Sequence, residues 1–267
     1  MSGFDLSGRS AVVTGAFGKL GPVWCEALLN AGAIVVGIDL PSATEPGVAT
    51  ELATRFKDRI RFLRADVTDR ESLVAARKQC EAKGISPDVL VNNAGIDQPP
   101  GAGERFRLEE IPPEVFSRVL EVNVTGAFLA AQIFGPSMIA KKHGSVINIG
   151  SLYASVSPDA RFYDHIAGEV PFIKPPAYGA SKAALLNITR YLATHWGSSG
   201  VRVNMLSPGG VEGGQDPDFK RKFTARVPLG RVAVADDLVG PLIFLASDAS
   251  SYVTGLEIRV DGGFTAW

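Results

Sequence analysis

Short apolar runs alternate along the chain with longer amphipathic segments. The runs are rich in β-branched residues and occur at Ser10–Thr14, 33–38, Ile60–Arg64, 89–91, 145–149, 201–206 and Glu257–Val260. Apolar residues recur with helical spacing in a segment that ends at residue 30 and in residues 70–83, 113–142, 176–197 and 235–247. Uninterrupted apolar runs are typical of parallel strands buried on both faces. The pattern predicts an α/β fold in which a doubly wound, seven-stranded parallel sheet carries helices on both faces.

Nothing in this pattern divides the chain. Its 267 residues contain no repeat, low-complexity tract or linker, and a single α/β domain commonly reaches about 250 residues. We therefore expect one domain over residues 1–267. Two long stretches, 97–107 and 152–176, break the alternation and contain several Gly or Pro residues. Both follow predicted strands, so we expect them to line the ligand crevice at the carboxyl ends of the sheet.

Composition narrows the classes of partner and location. The 27 basic and 28 acidic residues give a net charge of -1, which indicates neither a nucleic acid nor an anionic membrane as a partner. The N-terminus lacks the pattern of a signal peptide, and no apolar run approaches the roughly 20 residues that span a bilayer. Cys25 and Cys80 are far apart in the sequence and are interpreted as reduced core residues. The cytoplasm is therefore the expected location.

A glycine-rich segment follows the first predicted strand and precedes the first helix. Gly15, Gly18 and Gly21 allow the backbone to turn tightly and approach a pyrophosphate, which a helix N-terminus can bind. A tight turn with a helix cap is the purely structural interpretation. Asp39 ends the second apolar run, where its carboxylate can accept hydrogen bonds from ribose hydroxyls and would repel a 2′-phosphate. This predicts NAD rather than NADP, although the basic Lys19 could attract that phosphate.

Tyr178 and Lys182 lie four residues apart in a predicted helix, so they share one face of it. A neighbouring ammonium group lowers the pKa of a phenol, which lets tyrosine exchange protons near neutral pH. Taken alone, such a pair is more often a solvated helix face. The interpretation of Tyr178 and Lys182 as a catalytic pair therefore depends on the other motifs in the sequence.

Several short motifs occur in a defined order along the chain. They are the glycine loop at residues 15–21, Asp66-Val67, Asn92-Asn93-Ala94-Gly95, Asn123, Ser151, Tyr178 with Lys182, Ser207-Pro208-Gly209 and Val260-Asp261-Gly262-Gly263. As a set they resemble the short-chain dehydrogenase/reductase family over nearly the whole chain. The resemblance implies a single-domain Rossmann fold and an NAD(P)-dependent oxidoreductase acting on CH–OH groups.

The resemblance also implies roles for individual residues. Tyr178 would be the general acid/base, Lys182 would lower its pKa and hold the nicotinamide ribose, Ser151 would bind the substrate oxygen, and Asn123 would hold a water in a proton relay. Asn93 would also steady the central sheet. The predicted cofactor residues are Gly15, Phe17, Gly18, Lys19, Leu20, Asp39, Leu40, Asp66, Val67, Asn93, Ala94, Gly95, Tyr178, Lys182, Pro208, Gly209 and Val211.

The chain departs from the family pattern in three places. The glycines of the loop have a different spacing, and Ser151 and Tyr178 are separated by about twice the usual length because of an insertion at about 152–176. The threonine that the family usually places after Pro208-Gly209, near the nicotinamide amide, is absent, and the Val211 main chain is the candidate replacement. The predicted substrate residues, of which most lie in the insertion, are Ser151, Tyr153, Arg161, His165, Lys174 and Gly210, with Arg105 or Arg107 from the first loop.

Three functions remain open on the sequence. The first is an NAD-dependent dehydrogenase that interconverts a secondary or hemiacetal hydroxyl and a carbonyl on a polar sugar or sugar acid, including an anionic one. The second is a ketoreductase that uses NADPH on acyl or steroid-like substrates, and the third is a nucleotide-binding protein without turnover. The scattered His143, His165 and His195 predict no metal site. The family resemblance and the chain length imply a homotetramer.

Overall fold

Seven parallel strands form one sheet in the order β3-β2-β1-β4-β5-β6-β7 within the part of the chain that the structure describes. The computed structural model describes residues 2–98 and 104–267, so the section 99–103 of the first predicted loop lies outside the described residues. The strands are β1 (Ser10–Thr14), β2 (Ile34–Asp39), β3 (Ile60–Arg64), β4 (Val89–Asn92), β5 (Gly144–Ile149), β6 (Val201–Pro208) and β7 (Glu257–Val260). The predicted seven-stranded parallel sheet is confirmed.

The strands alternate with eight α-helices in the described residues. These are α1 (Gly21–Asn30), α2 (Gly47–Phe56), α3 (Arg70–Glu81), α4 (Pro113–Leu120), α5 (Ala127–Lys141), α6 (Pro176–Trp196), α7 (Pro217–Thr224) and α8 (Asp236–Ala246). A proline occupies the first turn of α1, α4, α6 and α7, where its missing N–H breaks no helical hydrogen bond. Asp216 caps α7 by accepting a hydrogen bond from the Phe219 N–H at 2.8 Å.

Apolar cores lie on both faces of the sheet. On one face, Trp24 of α1 and Leu242 of α8 pack against β1 and its neighbours. On the other, Phe134 of α5 and Leu192 of α6 pack there together with residues of α3. β1, β4 and β5 are buried along their whole length, which explains why their sequences show no polar alternation.

The helices differ from their predicted positions in three ways. α2 and α7 were not predicted, and the predicted helix at 113–142 is interrupted by a π-helical turn, Glu121–Gly126, between α4 and α5. Taken together, Pro113–Lys141 is apolar enough over one 18-residue stretch (mean hydropathy 1.3) to resemble a membrane span. Of that stretch 56% is buried within the protein, as in the core helix of a packed domain.

Candidate active site

A cleft of about 1360 Å³ opens at the carboxyl ends of the strands. Every cofactor residue predicted from the sequence lines it, and so do Ser151, Tyr153, His165, Lys174 and Gly210. The strand order places the ends of β2 and β3 on one side of β1, and the ends of β4, β5 and β6 on the other. The two halves of the cleft are therefore built from the ends of different strands, as expected for a ligand site in a doubly wound sheet.

The phosphate loop, residues 15–20 between β1 and α1, is shaped by its glycines. Gly15 has a φ of +66°, and a Cβ at this residue would lie 2.7 Å from the Cα of Ala94. A Cβ at Gly21 would lie 2.3 Å from the Gly15 carbonyl oxygen. Leu20 at the N-cap of α1 forms no side-chain capping bond, which leaves the start of the helix open to an anion. The loop therefore fits the pyrophosphate of a dinucleotide.

Asn93 holds the phosphate loop against the end of β4. Its Nδ2 atom donates to the carbonyl oxygens of Thr14 at 3.1 Å and Gly15 at 2.9 Å. Its Oδ1 atom accepts from the Trp24 indole at 2.8 Å. These contacts correspond to the steadying role that the family resemblance implied for Asn93.

Asp39 marks one end of the cleft. Its carboxylate accepts hydrogen bonds from the N–H groups of Phe17 at 2.7 Å and Leu40 at 2.8 Å. A carboxylate offers about four acceptor positions, so two of them remain for ribose hydroxyls. Nearby, the Arg64 guanidinium donates to the carbonyl oxygens of Leu40 and Ala43 and lies 4.6 Å from the centre of the Phe17 ring.

Asp66 and Val67 follow β3 at the same end of the cleft. Asp66 Oδ1 accepts from the N–H and the hydroxyl of Thr68, at 2.8 and 2.7 Å. Val67 is buried, and a Cβ at Gly126 would lie only 2.7 Å from its Cγ2 atom. The π-helical turn thus packs against Val67 at this end of the cleft.

Lys19 lies differently from the sequence expectation. Its Nζ atom crosses the cleft and donates to the Val211 carbonyl oxygen at 2.9 Å. Burial lowers the pKa of Lys19, and the charge of Glu212 opposes this shift. The ammonium group therefore lies beside the loop after β6 rather than beside Asp39, where a 2′-phosphate would have to sit.

Ser151, Tyr178 and Lys182 meet beyond the end of β5. Ser151 and Tyr178 both line the cleft, and Ser151 Oγ accepts a hydrogen bond from the Tyr153 N–H at 3.2 Å. Lys182 follows one helical turn after Tyr178, and its Nζ donates to the Ile149 carbonyl oxygen at 2.8 Å and lies 5.6 Å from the centre of the Tyr178 ring. The arrangement brings a proton carrier, a hydroxyl and an ammonium group to one point of the cleft.

Burial is the largest influence on the pKa values of Tyr178 and Lys182. It raises the pKa of Tyr178 above the usual phenol value, the charge of Asp97 adds to the rise, and the Ser151 side chain opposes it. Burial lowers the pKa of Lys182 to about 8. In the free protein Tyr178 is therefore a protonated phenol, so the expected lowering of its pKa by Lys182 is not the net effect.

Asn123 lies in the π-helical turn and is buried next to this group without lining the cleft. Its Oδ1 atom accepts from the Ile96 N–H at 2.7 Å, and its Nδ2 donates to the Ile96 carbonyl oxygen at 3.0 Å. Nδ2 also lies 3.0 Å from the Ser181 hydroxyl oxygen. Asn123 thus holds the chain segment after β4 in place against α6.

The insertion adds polar groups around Tyr178. Tyr153 and Tyr163 both line the cleft, and burial raises the pKa of both phenols. The Tyr153 ring meets the Tyr178 ring edge-on at 6.4 Å. Lys174 forms an ion pair with Asp97, and its Nζ lies 5.2 Å from the centre of the Tyr178 ring. The charge of Lys174, a predicted substrate residue, is thus paired in the free protein.

Other polar contacts hold the insertion in place. His165 Nε2 lies 2.7 Å from Asp216 Oδ1, and His165 Nδ1 lies 3.1 Å from Lys222 Nζ. Arg105 Nη1 donates to the carbonyl oxygens of Ala167 at 2.9 Å and Val170 at 3.4 Å. His165 and Arg105 line the cleft as expected, while they also connect the insertion to α7 and to the first loop.

Two of the predicted substrate residues lie away from the cleft. The Arg161 side chain is 82% exposed and pairs with Asp159 at 2.7 Å, and Arg107 is exposed and absent from the lining of the cleft. The expectation for Arg161 was wrong because Asp159 caps the short 3-10 turn Ala160–Phe162 and holds the guanidinium on the outer surface.

Sequence reasoning missed Asp97, Tyr163 and Gln215, which line the cleft. Asp97 stands shortly after the Asn-Asn-Ala-Gly segment that ends β4, and this position signals a residue at the carboxyl edge of the sheet. No comparable signal marks the other two, since their placement depends on how the insertion and the loop after β6 fold. Among the described residues, no group of three His, Cys, Asp or Glu could hold a metal ion.

The sequence model of a family described as enoyl-(acyl carrier protein) reductase matches residues 19–265. The chain is 35% identical to galactitol 2-dehydrogenase (L-tagatose-forming) of Cereibacter sphaeroides, over 99% of this chain and 98% of that protein. The chain belongs to the short-chain dehydrogenase/reductase family. It is therefore an oxidoreductase of the kind that acts on hydroxyl groups, as the sequence predicted.

Solved structures of other short-chain dehydrogenases have the same fold. A gluconate 5-dehydrogenase from Burkholderia cenocepacia, in complex with NADP and tartrate, superposes with a TM-score of 0.84 at 32% identity, covering 99% of this chain and 98% of that one. A short-chain dehydrogenase from Leptospira borgpetersenii with bound NAD+ gives a TM-score of 0.83 at 31% identity, covering 98% and 94%. Relatives of this short-chain dehydrogenase thus include proteins that bind either cofactor.

Proposed function

We propose that this short-chain dehydrogenase interconverts a secondary or hemiacetal hydroxyl and a carbonyl on a sugar or sugar acid, with NAD as the cofactor. The observation that carries the proposal is the polar surface of the insertion beside Tyr178. Tyr153, Tyr163 and Lys174 line the same cleft as the reacting phenol. Relatives that oxidise galactitol or gluconate support the same substrate class.

The residues of the chain suit this reaction. When bound, the nicotinamide accepts or supplies the hydride. In oxidation Tyr178 would first release its phenol proton to solvent. The substrate would then lose its carbinol hydrogen as hydride and its hydroxyl proton to the Tyr178 phenolate, and the C=O bond would form. Ser151 would orient the substrate oxygen through its hydroxyl. In reduction the protonated Tyr178 of the free protein is already the required donor.

The polar groups around Tyr178 fit a molecule with several hydroxyls. Two phenol hydroxyls, the Asp97 carboxylate and the Lys174 ammonium provide donors and acceptors within one part of the cleft. A polyol can exchange hydrogen bonds with these groups, whereas an apolar alcohol offers only one hydroxyl to them. An anionic substrate group could also compete with Asp97 for Lys174, which supports a sugar acid.

The preference for NAD rests on Asp39. Its negative charge lies in the cleft at the end of β2, where it would oppose a 2′-phosphate. Lys19, whose charge could have attracted the 2′-phosphate of NADP, donates instead to the Val211 carbonyl oxygen across the cleft. Arg64 lies opposite Asp39 in the register of β2 and β3, and its Nη1 atom donates to the carbonyl oxygens of Leu40 and Ala43.

A ketoreductase acting on larger apolar substrates with NADPH is the second candidate. Phe219 and Phe223 of α7 line the cleft together with Leu152 and Ile166, so one wall could hold an acyl chain. The Ser151–Tyr178–Lys182 arrangement argues against the third candidate, a nucleotide-binding protein without turnover.

The assembly and location follow as proposals. We propose one catalytic domain over the chain, a homotetramer and a cytoplasmic location. The edge strand β7 and the exposed apolar side chains near it, Leu229, Tyr252, Leu256 and Trp267, support a contact with a second copy of the chain.

The test is a substrate panel followed at 340 nm with NAD and NADP in parallel. It should contain alditols, aldoses, aldonic and uronic acids, simple alcohols and apolar ketones. Turnover of a polyol or sugar acid with NAD, abolished in Tyr178→Phe, is the expected result. Silence with all sugars, together with NADPH consumption on apolar ketones, would replace the proposal by the second candidate.

A further inference from the structure

The loop after β6 faces the phosphate loop across the cleft and lacks the expected hydroxyl. Residues 210–215 contain no Ser or Thr. Two side chains instead converge on the Val211 carbonyl oxygen, namely Lys19 Nζ at 2.9 Å and Gln215 Nε2 at 2.7 Å. The cleft is therefore bridged by a cation from one wall and lined by an amide from the other.

Gly213 makes room for this bridge. A Cβ at residue 213 would lie 2.1 Å from Lys19 Nζ and 2.3 Å from its Cε. Any side chain at this residue would have to displace the lysine. The observed position of Lys19 therefore depends on a glycine at residue 213.

Gln215 presents an acceptor that the described residues leave unused. Its Oε1 atom is buried and has no hydrogen-bond partner within residues 2–98 and 104–267. Because the Val211 carbonyl oxygen can only accept, the donating Nε2 must face it, which fixes the orientation of the amide. A buried acceptor without a donor destabilises the free protein, so a ligand that brings an N–H group would relieve this cost.

The strand order identifies the half of the cleft in which these groups act. The loop after β6 adjoins β5, which carries Ser151 at its end, whereas Asp39 and Asp66 follow β2 and β3 on the far side of β1. Hydride transfer requires the nicotinamide beside the substrate carbon at Tyr178. The groups on the 210–215 loop therefore face the nicotinamide half and the pyrophosphate, and not the adenosine.

We propose that Lys19 and Gln215 form a clasp that holds the nicotinamide half of the cofactor in place of the missing hydroxyl. Gln215 Oε1 accepts a hydrogen bond from the carboxamide N–H₂ group. The Lys19 ammonium, which keeps N–H groups beyond the one given to Val211, pairs with the pyrophosphate. The inference rests on the dinucleotide binding proposed above.

The role of the Gln215 amide is tested by measuring cofactor binding to Gln215→Leu, without an activity assay. The measurement is the Kd of NADH and of ADP-ribose, which lacks the nicotinamide, by calorimetry. We expect the NADH Kd to rise about 5- to 20-fold and the ADP-ribose Kd to stay within about twofold. Gln79→Leu, on the exposed face of α3, is the matched control and should change neither value. If Gln215→Leu lowers the melting temperature, Gln215→Met is measured instead, because it keeps an unbranched chain.

Lys19→Met tests the cation. We expect NADH and ADP-ribose to weaken together by about 5- to 10-fold, AMP to bind unchanged, and the loss to shrink as salt rises. The ratio of NADPH to NADH affinity should stay constant, since the lysine lies away from the 2′-position. Lys78→Met on α3 is the control and should leave every Kd unchanged.

Three results would overturn the clasp. They are an ADP-ribose loss in Gln215→Leu as large as the NADH loss, an unchanged NADH Kd in both variants, or a selective loss of NADPH binding in Lys19→Met. The last result would return Lys19 to the 2′-phosphate. Failure of the wild-type protein to bind NADH and NADPH at all would instead refute the proposed function, so the two failures are distinguishable.

Discussion

Lys182 carries its ammonium group in a buried environment that disfavours the charged form. The side chain is buried, and this lowers its pKa from 10.5 to about 8. Its hydrogen bond to the Ile149 carbonyl oxygen compensates only in part, because an ammonium group in water is surrounded by several acceptors. The residue that the proposed function requires next to Tyr178 is therefore held at a cost in stability.

Lys182→Met should stabilise the fold while abolishing turnover. At pH 7 we expect the free energy of unfolding to rise by about 1–2 kcal/mol, the desolvation cost less the lost hydrogen bond. Between pH 8 and 10.5 the unfolded wild-type chain binds more protons than the folded one, so wild-type stability rises there and the gain of the variant shrinks. Urea unfolding from pH 7 to 10.5 measures this.

The control for that prediction is Lys78→Met on the exposed face of α3, which should stay within about 0.5 kcal/mol of wild type at each pH. A gain in Lys182→Met that is equally large at pH 7 and pH 10.5 would show that burial of the charge is not its source.

Asp39→Ser should shift the cofactor preference toward NADP. Removing a carboxylate that faces the 2′-position should raise the NADP-to-NAD ratio of kcat/KM by about 10- to 100-fold. Asp39 also holds the Phe17 N–H, so activity with both cofactors should fall. The ratio cancels this shared loss, which makes it the quantity to measure.

Asp58→Ser, an exposed substitution in the turn after α2, serves as the control for Asp39→Ser and should leave the ratio unchanged. A ratio that stays constant in Asp39→Ser would mean that another group, with Arg64 the first to examine, decides between the two cofactors.

At the scale of elements, the insertion has its own small core. Phe162 is buried among Phe219 and Phe223 of α7 and Phe264 of the C-terminal segment. This cluster is separate from the two cores that flank the sheet. The wall of the cleft that Phe219 and Phe223 form therefore depends on contacts outside the two cores that flank the sheet.

Phe162→Ala should loosen this wall while the sheet stays intact. Truncating a buried Phe costs about 3 kcal/mol or more, and here we expect the loss to appear as local opening. Hydrogen exchange should speed up in residues 152–176 and α7 but not in β1, and the substrate KM should rise about tenfold with an unchanged NADH Kd. Phe134→Ala in α5 is the contrast, since it should speed exchange across the sheet. Equal effects of both variants in β1 would refute a separate unit.

The elements that sequence analysis missed have few buried residues. α2 buries Ala49 and Leu52, and α7 buries only Phe223, so neither shows a full apolar stripe. The Asp216-Pro217 pair at the start of α7 was a usable cap signal. The π-helical turn before α5 has no such signal, because its wider turn depends on packing around Asn123 and Val67.

At the scale of the whole molecule, the sheet of the described residues ends in two edge strands, β3 and β7, and the β7 edge lies beside exposed apolar side chains. β7 pairs with β6 on one side only, and Leu256 just before it is 45% exposed. An exposed strand edge beside apolar side chains is a surface that a second copy can cover.

Leu256→Asp should therefore weaken the assembly. Light scattering should give wild-type particles of about four chains of 28.2 kDa, and the variant should shift toward smaller species because a carboxylate would be buried in the contact. Glu71→Ala on the exposed start of α3 is the control. A monomeric wild type would contradict the proposed tetramer.

Patterns within a few residues determined much of this protein from its sequence. Buried strands, the Gly15 turn, the Asp39 position and the four-residue spacing of Tyr178 and Lys182 follow from strand burial, backbone geometry and helix periodicity. Only the tertiary structure decided which charges meet. Lys174 pairs with Asp97, 77 residues away, and Lys19 reaches Val211, 192 residues away. Such pairings depend on the folded path of loops and insertions, because the residues approach only when the sheet has brought distant strand ends to one edge.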